Sequence, residues 1–505
     1  MAVDLRAEPS TVHITVGAAR FRLENPTDEI DTLLYNELAY FVDGAEFSKA
    51  YRNGWDGYSR LYDRQAKTAP VGLLDRAKAI INEHGYSVSV ESLDVPDPNP
   101  IDVSWRFDHD LRDYQRESVE SVLSNGGGVV SLPTGAGKTV VALKVFESVR
   151  QRAIVFVHTQ ELLYQWADEI RDVLEVEPGV IGNDEWSEGP VTVAMMQTLD
   201  SRGTDDLGTY SVAVFDECHR TSAAETMHNV GLSVDAPLRV GLSATPWREV
   251  TGEELRIEGA VGDEAINVSA EKLIDAGHLA RPEFRYITPR DYGDQSEPSN
   301  LQSWPTVYRN HVVLSSTRNK GVASTAAALA RDGYTVLVSV DRLTQGHLLR
   351  FMLNGEVGRR ETLRALRSDE DDPSDVAGKV DAVERHPTVA DIGASFLHGG
   401  NNTAERDKTI KSFAAGDIPI LISTLLGEGV DLPSINAVVL AEGGKSDTAK
   451  IQTVGRALRP ANGDHAVIAD VRDRGAFIGD HFEARRQAFA DYYGSYGPDI
   501  GQGGL

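Results

Sequence analysis

Residues 131–139 read Ser-Leu-Pro-Thr-Gly-Ala-Gly-Lys-Thr and decide the fold class of this 505-residue chain. An apolar run from Gly127 to Leu132 precedes them and a helix-like run from Val140 to Arg150 follows, so the pattern predicts a strand, a glycine-rich turn and a helix. Such a turn directs backbone N–H groups at a polyphosphate, and the helix dipole favours negative charge there. The stretch therefore predicts a phosphate site, although Leu132 stands where the usual pattern has its first glycine.

Short apolar strands alternate with helical stretches on the carboxyl side of this turn. The first series of predicted strands is Gly128–Leu132, Ala153–Val157, Val191–Ala194, Val212–Phe215 and Arg239–Leu242. The second is Thr335–Ser339, Ala394–Leu397, Ile418–Ile422, Ala437–Leu440 and His465–Ala469. This order predicts an α/β fold with two parallel sheets in tandem. Ligands of such sheets bind at the carboxyl ends of the strands.

Four segments follow from these patterns. We predict a small α+β module that binds DNA over residues 1–95, the first sheet domain over 96–262, the second over 263–490, and a C-terminal tail over 491–505. Within the module we predict a hairpin of Thr11–Val16 with Arg20–Leu23, helices over Glu29–Phe41 and Leu73–His84, a strand after Trp55, and a strand over Tyr86–Val90. A charged insertion at 355–387 is either solvated helix and disorder or an element that touches substrate.

The chain is strongly acidic, with 77 Asp and Glu against 50 Lys and Arg and a formal net charge of −27. Two interpretations compete: the protein handles small molecules or basic partners, or its whole surface is adapted to concentrated salt, as in halophiles. Acidic residues spread along the chain and Arg outnumbers Lys about three to one, which favours the halophile interpretation. In concentrated salt, counterion release contributes little to DNA affinity.

The cysteine content and the distribution of apolar residues limit where the protein is found and which chemistry it uses. Cys218 stands alone, so no internal disulfide framework exists, and it is expected to be a packed small residue rather than a nucleophile or metal ligand. No apolar run approaches the length of a membrane span, and the first residues lack a secretory pattern. We therefore predict a cytoplasmic protein without a membrane partner.

Two further elements supply groups that phosphate chemistry needs. The run Val212-Ala-Val-Phe-Asp216-Glu217 is an apolar strand that ends in two carboxylates. Asp216 can reach a Mg²⁺ held by the hydroxyl of Thr139, and Glu217 can orient and deprotonate an attacking water. The stretch Gln452-Thr-Val-Gly-Arg456-Ala-Leu-Arg459 places two arginines three residues apart, which predicts that they share one helical face. Guanidinium groups there can stabilise charge on a γ-phosphoryl group.

These elements, in this order, resemble the motifs of superfamily 2 nucleic-acid helicases and translocases over about residues 108–475. Matching stretches begin at Leu111, Ser131, Val155, Val193, Asp216, Ser243, Leu421 and Gln452. The resemblance implies two tandem RecA-like domains with ATP and Mg²⁺ between them, and closing and opening of these domains as the protein moves along DNA. DEAD-box RNA helicases differ at the motif that here reads Asp216-Glu-Cys-His219, and their last motif usually begins with histidine.

The resemblance also implies roles for individual residues. ATP contacts fall to Gln115, Pro133, Thr134, Gly135, Ala136, Gly137, Lys138 and Thr139, with Thr139 and Asp216 as metal ligands. The residues assigned to catalysis are Lys138, Asp216, Glu217, Gln452, Arg456 and Arg459. Coupling of the nucleotide site to the DNA path falls to His219, Ser243, Thr245, Glu428, Gly429 and Asp431. DNA contacts fall to Thr159, Gln197, Thr198 and Thr424, short polar groups that bind phosphates without reading bases.

Two narrower resemblances point to DNA. The stretch Ser243-Ala-Thr-Pro-Trp-Arg248-Glu249-Val250 is similar to the xeroderma-pigmentosum group B repair helicases, although Val250 replaces the aspartate of their Arg-Glu-Asp triplet. Residues 45–63 are similar to the N-terminal module of UvsW-type phage recombination helicases. Trp55, Tyr58 and Tyr62 in that stretch either stack on bases or form the core of the module.

The leading functional hypothesis is a DNA-dependent ATPase that acts as a helicase or translocase in repair or recombination. The alternatives are the motor subunit of a restriction or nuclease system, and a nucleic-acid-binding or annealing protein with weak ATPase. We also predict a nuclease partner, because group B helicases in archaea are associated with one at family level. Retention of Lys138, Asp216, Glu217, Arg456 and Arg459 argues against a decayed ATPase.

Overall fold

The computed structural model describes most of the chain as two compact units. The residues described are 11–92, 101, 103–221, 225–247, 252, 254–289, 303–367, 386–425, 435–445, 447–459 and 463–499. The chain passes from the first unit to the second between Val268 and Ser269. The N-terminal module and the first sheet domain both belong to the first unit.

The N-terminal module contains a four-stranded sheet in the order β5-β2-β1-β6 and a two-stranded ribbon, β3-β4. Its elements are β1 (Thr11–Val16), β2 (Arg20–Glu24), α1 (Asp28–Glu37), β3 (Ala39–Phe41), α2 (Lys49–Arg52), β4 (Tyr58–Arg60), β5 (Thr68–Pro70), α3 (Leu74–Glu83) and β6 (Ser87–Ser92), with 3₁₀ turns at Ala45–Phe47 and Val71–Leu73. Strands β1 and β2 pair antiparallel, which confirms the predicted hairpin.

Alternation of apolar and polar residues explains why the module has its own core. Val12, Ile14, Phe21 and Leu23 point inward from β1 and β2 and are almost fully buried. The predicted helix over Glu29–Phe41 is wrong at its carboxyl end, because α1 stops at Glu37 and the last three residues form β3. Those residues pair with β4, and this tertiary pairing overrides the helical pattern that precedes them.

The first sheet domain has eight strands in the order β10-β9-β11-β8-β12-β13-β7-β14. Its elements are α4 (Asp113–Asn125), β7 (Gly127–Ser131), α5 (Lys138–Val149), β8 (Ala153–Val157), α6 (Gln160–Leu174), β9 (Gly179–Gly182), β10 (Glu185–Trp186), β11 (Val191–Met195), α7 (Met196–Arg202), β12 (Val212–Asp216), α8 (Glu225–Ser233), β13 (Leu238–Ser243), α9 (Glu254–Val261) and β14 (Glu264–Asn267), with a 3₁₀ turn at Cys218–Thr221.

All five strands of the first predicted series are present in this sheet, and their mutual pairings are parallel. Strands β7, β8 and β12 are buried along almost their whole length, which explains why they read as continuous apolar runs. Sequence analysis missed β9, β10 and β14, which are short and contain glycine or acidic residues. Because β14 pairs with β7, the first domain extends beyond the predicted boundary at 262.

The second unit contains a six-stranded parallel sheet in the order β15-β20-β19-β16-β18-β17. Its elements are α10 (Ala270–Asp275), β15 (Arg281–Ile287), α11 (Trp304–Val307), a π-helical turn (Tyr308–Val313), α12 (Ser316–Arg331), β16 (Val336–Ser339), α13 (Leu343–Arg367), β17 (Ala394–Leu397), α14 (Thr403–Ala414), β18 (Ile420–Ser423), β19 (Ala437–Leu440), α15 (Asp447–Ala457), β20 (His465–Val471), α16 (Ile478–Tyr493) and a 3₁₀ turn (Gly494–Tyr496).

The charged insertion at 355–387 begins inside α13, which bends at Gly355 and continues as helix to Arg367. Residues 368–385 lie outside the described part of the chain. His386, near the end of the insertion, is buried and contacts Asn319 of α12 at 3.0 Å between Nε2 and Nδ2. In the described ranges no helix is both long enough and apolar enough to cross a bilayer.

Candidate active site

The predicted site residues of the first unit gather at one edge of its sheet. Because β7, β13, β12, β8 and β11 are neighbouring parallel strands, their carboxyl ends lie side by side. Lys138 follows β7, Ser243 ends β13, Asp216 ends β12, Thr159 follows β8 and Gln197 follows β11. The sheet therefore brings together residues that are distant in sequence, such as Lys138 and Ser243, which are 105 positions apart.

The turn between β7 and α5 has the backbone of a phosphate-binding loop. Gly135 and Gly137 take φ values of +84° and +79°, in the left-handed region that glycine adopts without strain. Helix α5 begins at Lys138 directly after this turn, so its first N–H groups face the loop. The ammonium of Lys138 donates to the carbonyl of Leu132 at 3.3 Å. This geometry fits a polyphosphate, as the sequence predicts.

Gln115 packs against the same loop. It occupies the first turn of α4, where the backbone N–H of Arg112 donates to its Oε1 at 3.0 Å. A Cβ atom on Gly137 would lie 2.6 Å from Nε2 of Gln115, so the amide group touches the loop backbone. The side chain is 6% exposed. The structure thus places Gln115 beside the loop, where the helicase resemblance puts a residue that recognises adenine.

Asp216 and Glu217 have opposite electrostatic environments. Burial raises the pKa of Asp216 to about 6, and the negative charge of Glu217 acts in the same direction. Burial also opposes ionisation of Glu217, but the charge of Lys138 and a contact with His219 outweigh it and lower the pKa of Glu217 to about 2. Glu217 therefore stays ionised, while Asp216 is a carboxylate whose negative charge favours a nearby cation.

Trp166 is a site residue that sequence analysis did not single out. It lies on α6, is 2% exposed, and its indole N–H donates to Oδ2 of Asp216 at 2.8 Å. This bond fixes the orientation of the carboxylate that the resemblance assigns to the metal. Trp166 lies eleven residues after Val155, where one of the helicase-like stretches begins, but the resemblance assigns it no role.

A chain of polar contacts links the two carboxylates to β13. Nδ1 of His219 lies 3.3 Å from Oε2 of Glu217 and 3.0 Å from Oγ of Ser243. The hydroxyl oxygen of Ser243 also accepts from the backbone N–H of Thr245 at 3.1 Å. His219 and Ser243 are buried, so these bonds are protected from water. His219, Ser243 and Thr245 are thus joined by hydrogen bonds, and their coupling role stays a prediction.

The residues predicted to contact DNA in the first unit stand at the same sheet edge. Thr159 caps α6, where its hydroxyl oxygen accepts from the N–H of Leu162 at 3.2 Å. Gln197 is exposed, and its Nε2 donates to the carbonyl of His158 at 3.0 Å. Thr198 follows it and is half-buried. The Gln197 bond joins the ends of β8 and β11. Contact of these three residues with DNA stays a prediction.

In the second unit, Gln452 and Arg456 lie on α15, and Gln452 is 8% exposed. The prediction that Arg456 and Arg459 share one helical face is wrong, because α15 ends at Ala457. A proline follows Arg459 in the sequence, and a residue before proline disfavours the helical conformation. Thr424 follows β18, and its N–H donates to the carbonyl of Leu397 at 3.2 Å.

A buried ion pair that sequence analysis missed anchors α15. Lys450 contacts Glu442, which follows β19, and both side chains are at most 6% exposed. Ser339 at the end of β16 donates to the same carboxylate at 2.5 Å. Lys450 also lies 3.7 Å from Asp341. The sequence pattern that could have revealed this pair is a carboxylate, Glu442, just after an apolar strand. Lys450 follows it by eight residues, on the helix that carries Gln452.

Some predicted residues fall outside the described part of the chain. These are Glu428, Gly429 and Asp431, with Arg248, Glu249 and Val250. Cys218 is buried with a free thiol, and burial raises its pKa, as expected for a packed residue. In the described ranges no cluster of three or more His, Cys, Asp or Glu side chains could hold a metal ion. A magnesium ion bound mainly by phosphates needs only one or two protein carboxylates.

Comparison with known proteins supports the assignment of both sheet domains. Residues 108–248 match the family described as Type III restriction enzyme, res subunit, and residues 376–461 match the Helicase conserved C-terminal domain. A putative DNA 3'-5' helicase Rad25 of Haloarcula marismortui is 28% identical over 78% of this chain and 57% of its own length. The ATP-dependent DNA helicase uvsW of Enterobacteria phage T4 is 23% identical over 84% of this chain and 82% of its own.

A solved structure shares the fold. The DUF1998 helicase MrfA, bound to DNA and AMPPNP, has a TM-score of 0.52 and 16% identity over 74% of this chain and 50% of that one. The chain spans less than two thirds of the length of the haloarchaeal Rad25 relatives. Together the matches show that the chain contains segments that fit these two domain models, and that it is similar to Rad25 and uvsW helicases.

Proposed function

We propose that this protein is an ATP-dependent DNA helicase or translocase of repair or recombination. The observation that carries the proposal is the assembly, at one sheet edge, of the glycine-rich loop, Lys138, the Asp216–Glu217 pair and the His219–Ser243–Thr245 chain. Names of the similar proteins support DNA as the track.

The residues divide the chemistry among them. The loop of residues 133–139 and Lys138 hold the phosphates of ATP, and Gln115 recognises its base. Glu217, kept ionised by its surroundings, orients the attacking water. Thr139 and Asp216 would hold Mg²⁺, which neutralises charge on the phosphates when bound. Arg456 and Arg459 stabilise the charge that develops on the transferred group, and Gln452 supports them from α15, the helix that also carries Arg456.

His219 transmits the state of the nucleotide to β13, because it touches both Glu217 and Ser243. Thr159, Gln197, Thr198 and Thr424 bind the DNA backbone, and Glu428, Gly429 and Asp431 take part in the coupling. Adaptation to concentrated salt is supported by the charge of −27 and by the two haloarchaeal relatives. A nuclease partner and a cytoplasmic location stay predictions.

Replacement of Lys138 tests this function. We expect Lys138→Ala to reduce ATP hydrolysis at least about a hundredfold, because the loop loses the cation that binds the phosphates. The measurement is phosphate release at high KCl with single-stranded, duplex and forked DNA and with RNA. Lys144→Ala is the matched control, since Lys144 lies on the same helix and pairs with Glu147.

Two outcomes of that experiment separate the alternatives. Hydrolysis at the wild-type rate by Lys138→Ala would refute the nucleotide site. An annealing protein with incidental ATPase would retain strand annealing in the variant, whereas a translocase loses displacement of a bound third strand from duplex DNA. Unchanged thermal unfolding of the variant shows that the fold is intact.

A further inference from the structure

The N-terminal module exposes an unusual cluster of aromatic rings. Phe41, Phe47, Tyr51 and Tyr58 are 39%, 80%, 39% and 43% exposed. They make up four of the eight large apolar side chains that are exposed in the described part of the chain, yet they lie within 18 consecutive residues. We call these four residues the aromatic platform. Concentration at one place distinguishes them from the scattered apolar side chains of an ordinary surface.

Three of the four platform rings pack against one another, while Phe47 projects into solvent. The ring of Phe41 stands nearly perpendicular to those of Tyr51 and Tyr58, with centroids 6.4 and 5.5 Å apart. Gly57 allows this, because a Cβ there would lie 2.3 Å from the Phe41 ring. The indole N–H of Trp55 donates to the carbonyl of Tyr58 at 3.1 Å, which fastens the turn before β4. Rigid exposed rings lose little entropy when a ligand stacks on them.

A basic cleft adjoins the platform. The cavity, of about 600 Å³, lies between the module and helices α8 and α9, and Tyr58 is part of its wall. Its charged lining consists of Arg20, Arg60, Arg64, Arg256 and a single carboxylate, Asp63. We call this the arginine cleft. Two of these arginines are paired with carboxylates, Arg60 with Asp56 and Arg64 with Asp31. Four arginines and one carboxylate around a single cavity still contrast with the 77 acidic and 50 basic residues of the whole chain.

Arg60 connects the two features. Asp56 holds its guanidinium through a 2.5 Å contact, and the guanidinium carbon lies 4.5 Å from the ring centroid of Tyr35 and 5.5 Å from that of Tyr58. Its side chain is 20% exposed. A planar cation stacked beside an exposed ring is an arrangement that suits a nucleotide, with its base on the ring and its phosphate near the cation.

We infer that the aromatic platform binds unpaired bases of single-stranded DNA, and that the arginine cleft receives the adjoining phosphates. The inference rests on the proposed function, since it assumes DNA as the track. Every base has a π-face, so stacking works without sequence preference. Stacking also persists in concentrated salt, where screening weakens contacts between exposed charges. Paired bases are stacked inside the duplex, so the platform selects strands that are already open.

Sequence analysis left open whether Trp55, Tyr58 and Tyr62 stack on bases or form the core of the module. The structure gives different answers for Tyr62 and for the other two. Tyr62 is a core residue, 2% exposed, with its hydroxyl donating to Asp31 at 2.9 Å. Tyr58 belongs to the platform, and Trp55 supports it from a half-buried position. Phe41, Phe47 and Tyr51 were not singled out, because exposure depends on the pairing of β3 with β4.

The test measures DNA binding by fluorescence anisotropy with the full chain, without ATP and at high KCl. The probes are an oligo(dT) strand, an abasic strand of the same length and a blunt duplex. We expect the double variant Phe47→Ala, Tyr58→Ala to bind oligo(dT) at least about tenfold more weakly, since stacking is worth about 1–3 kcal/mol per base. Binding of the abasic strand and of the duplex should change less than about twofold.

Controls keep the result interpretable. Phe47→Ala alone is a second variant, because an 80% exposed ring contributes little to folding. Tyr58→Trp should restore the affinity of the single variant Tyr58→Ala, since a larger ring still stacks. Tyr286→Ala, in the second unit, removes an equally exposed tyrosine and should bind all three probes as the wild type does.

The outcomes distinguish failure of the stacking proposal from failure of the proposed function. Equal weakening of oligo(dT), abasic and duplex probes would overturn stacking, because it indicates a grip on phosphates alone. Wild-type affinity of both platform variants for oligo(dT) would also overturn it and leave the platform as a protein-contact surface. Failure of the wild type to bind any of the DNA probes would instead refute the proposed function.

Discussion

Glu217 shows how a single residue stores backbone strain at the site. Its φ is +48°, in a region that residues other than glycine seldom adopt. Its N–H donates to Oδ1 of Asp216 at 3.1 Å, and its carboxylate contacts His219. Strain of this kind persists only where surrounding contacts determine the conformation. The conformation turns Glu217 away from the strand direction directly after Asp216, so that two successive carboxylates serve different partners.

We expect Glu217→Gln to retain ATP binding and to lose turnover by about 10²- to 10⁴-fold, the usual contribution of a general base. Glutamine keeps the shape of the side chain but cannot accept the proton of the attacking water. The measurements are fluorescent-nucleotide affinity and phosphate release. Glu120→Gln, on the exposed face of α4, is the control. A turnover rate equal to that of the wild type would remove Glu217 as the base.

At the scale of elements, a buried histidine joins α8 to α9. His228 is 5% exposed, and its Nδ1 lies 3.2 Å from the carbonyl oxygen of Arg256. Burial lowers the pKa of His228 to about 4, and the positive charge of Arg256 acts in the same direction. The neutral ring donates its Nδ1 proton to that carbonyl, while the unfolded chain takes up a proton near pH 6.5.

Because of His228, the folded protein should lose stability as the pH falls. Between pH 6.5 and about 4 the unfolded state binds the proton and the folded state does not, so acidification destabilises the fold by up to about 3 kcal/mol. We expect His228→Gln to lack this component when urea unfolding is followed from pH 7.5 to 4.5 at constant KCl. His84→Gln, which is exposed, should behave as the wild type. Parallel pH profiles of wild type and His228→Gln would contradict the prediction.

The buried ion pair between Lys450 and Glu442 stabilises the position of helix α15. We expect Lys450→Met to lower the free energy of unfolding by about 3–5 kcal/mol, because Glu442 is left buried without its cation. Adding Glu442→Gln should recover most of that loss, since the uncompensated charge is removed. Denaturant unfolding of the two single variants and the double variant measures the coupling. Additive losses in the double variant would show that the two side chains do not interact.

At the scale of the whole molecule, we expect the net charge to make stability depend on salt. A charge of −27 produces self-repulsion in the folded state, and added salt shortens the Debye length from about 10 Å at 0.1 M to about 3 Å at 1 M. We expect the thermal midpoint of the chain to rise as KCl increases from 0.1 to 3 M. An uncharged osmolyte of equal osmolality is the control for solvent exclusion. A midpoint that stays level or falls with KCl would argue against adaptation to salt.

Most of the strands of the two sheets could be predicted from local pattern. A buried parallel strand is a short apolar run, and Ala153–Val157, Ala394–Leu397 and Ala437–Leu440 begin and end where the pattern places them. The errors lie where tertiary pairing overrides that pattern, as at β3, or where a strand is short and partly polar, as at β14. The order of strands within each sheet was not predicted, because it depends on crossovers between distant segments.

The sequence by itself determined the loop, its lysine and the order of motifs, because a glycine-rich loop of this kind is built from consecutive residues. Only the tertiary structure decided the partners of those residues. Trp166 reaches Asp216 across 50 positions, and Ser339 reaches Glu442 across 103. The aromatic platform and the arginine cleft likewise exist only because β3 pairs with β4 and the module packs on α8 and α9. Contacts between distant residues arise from folding of the whole chain, and no local pattern encodes them.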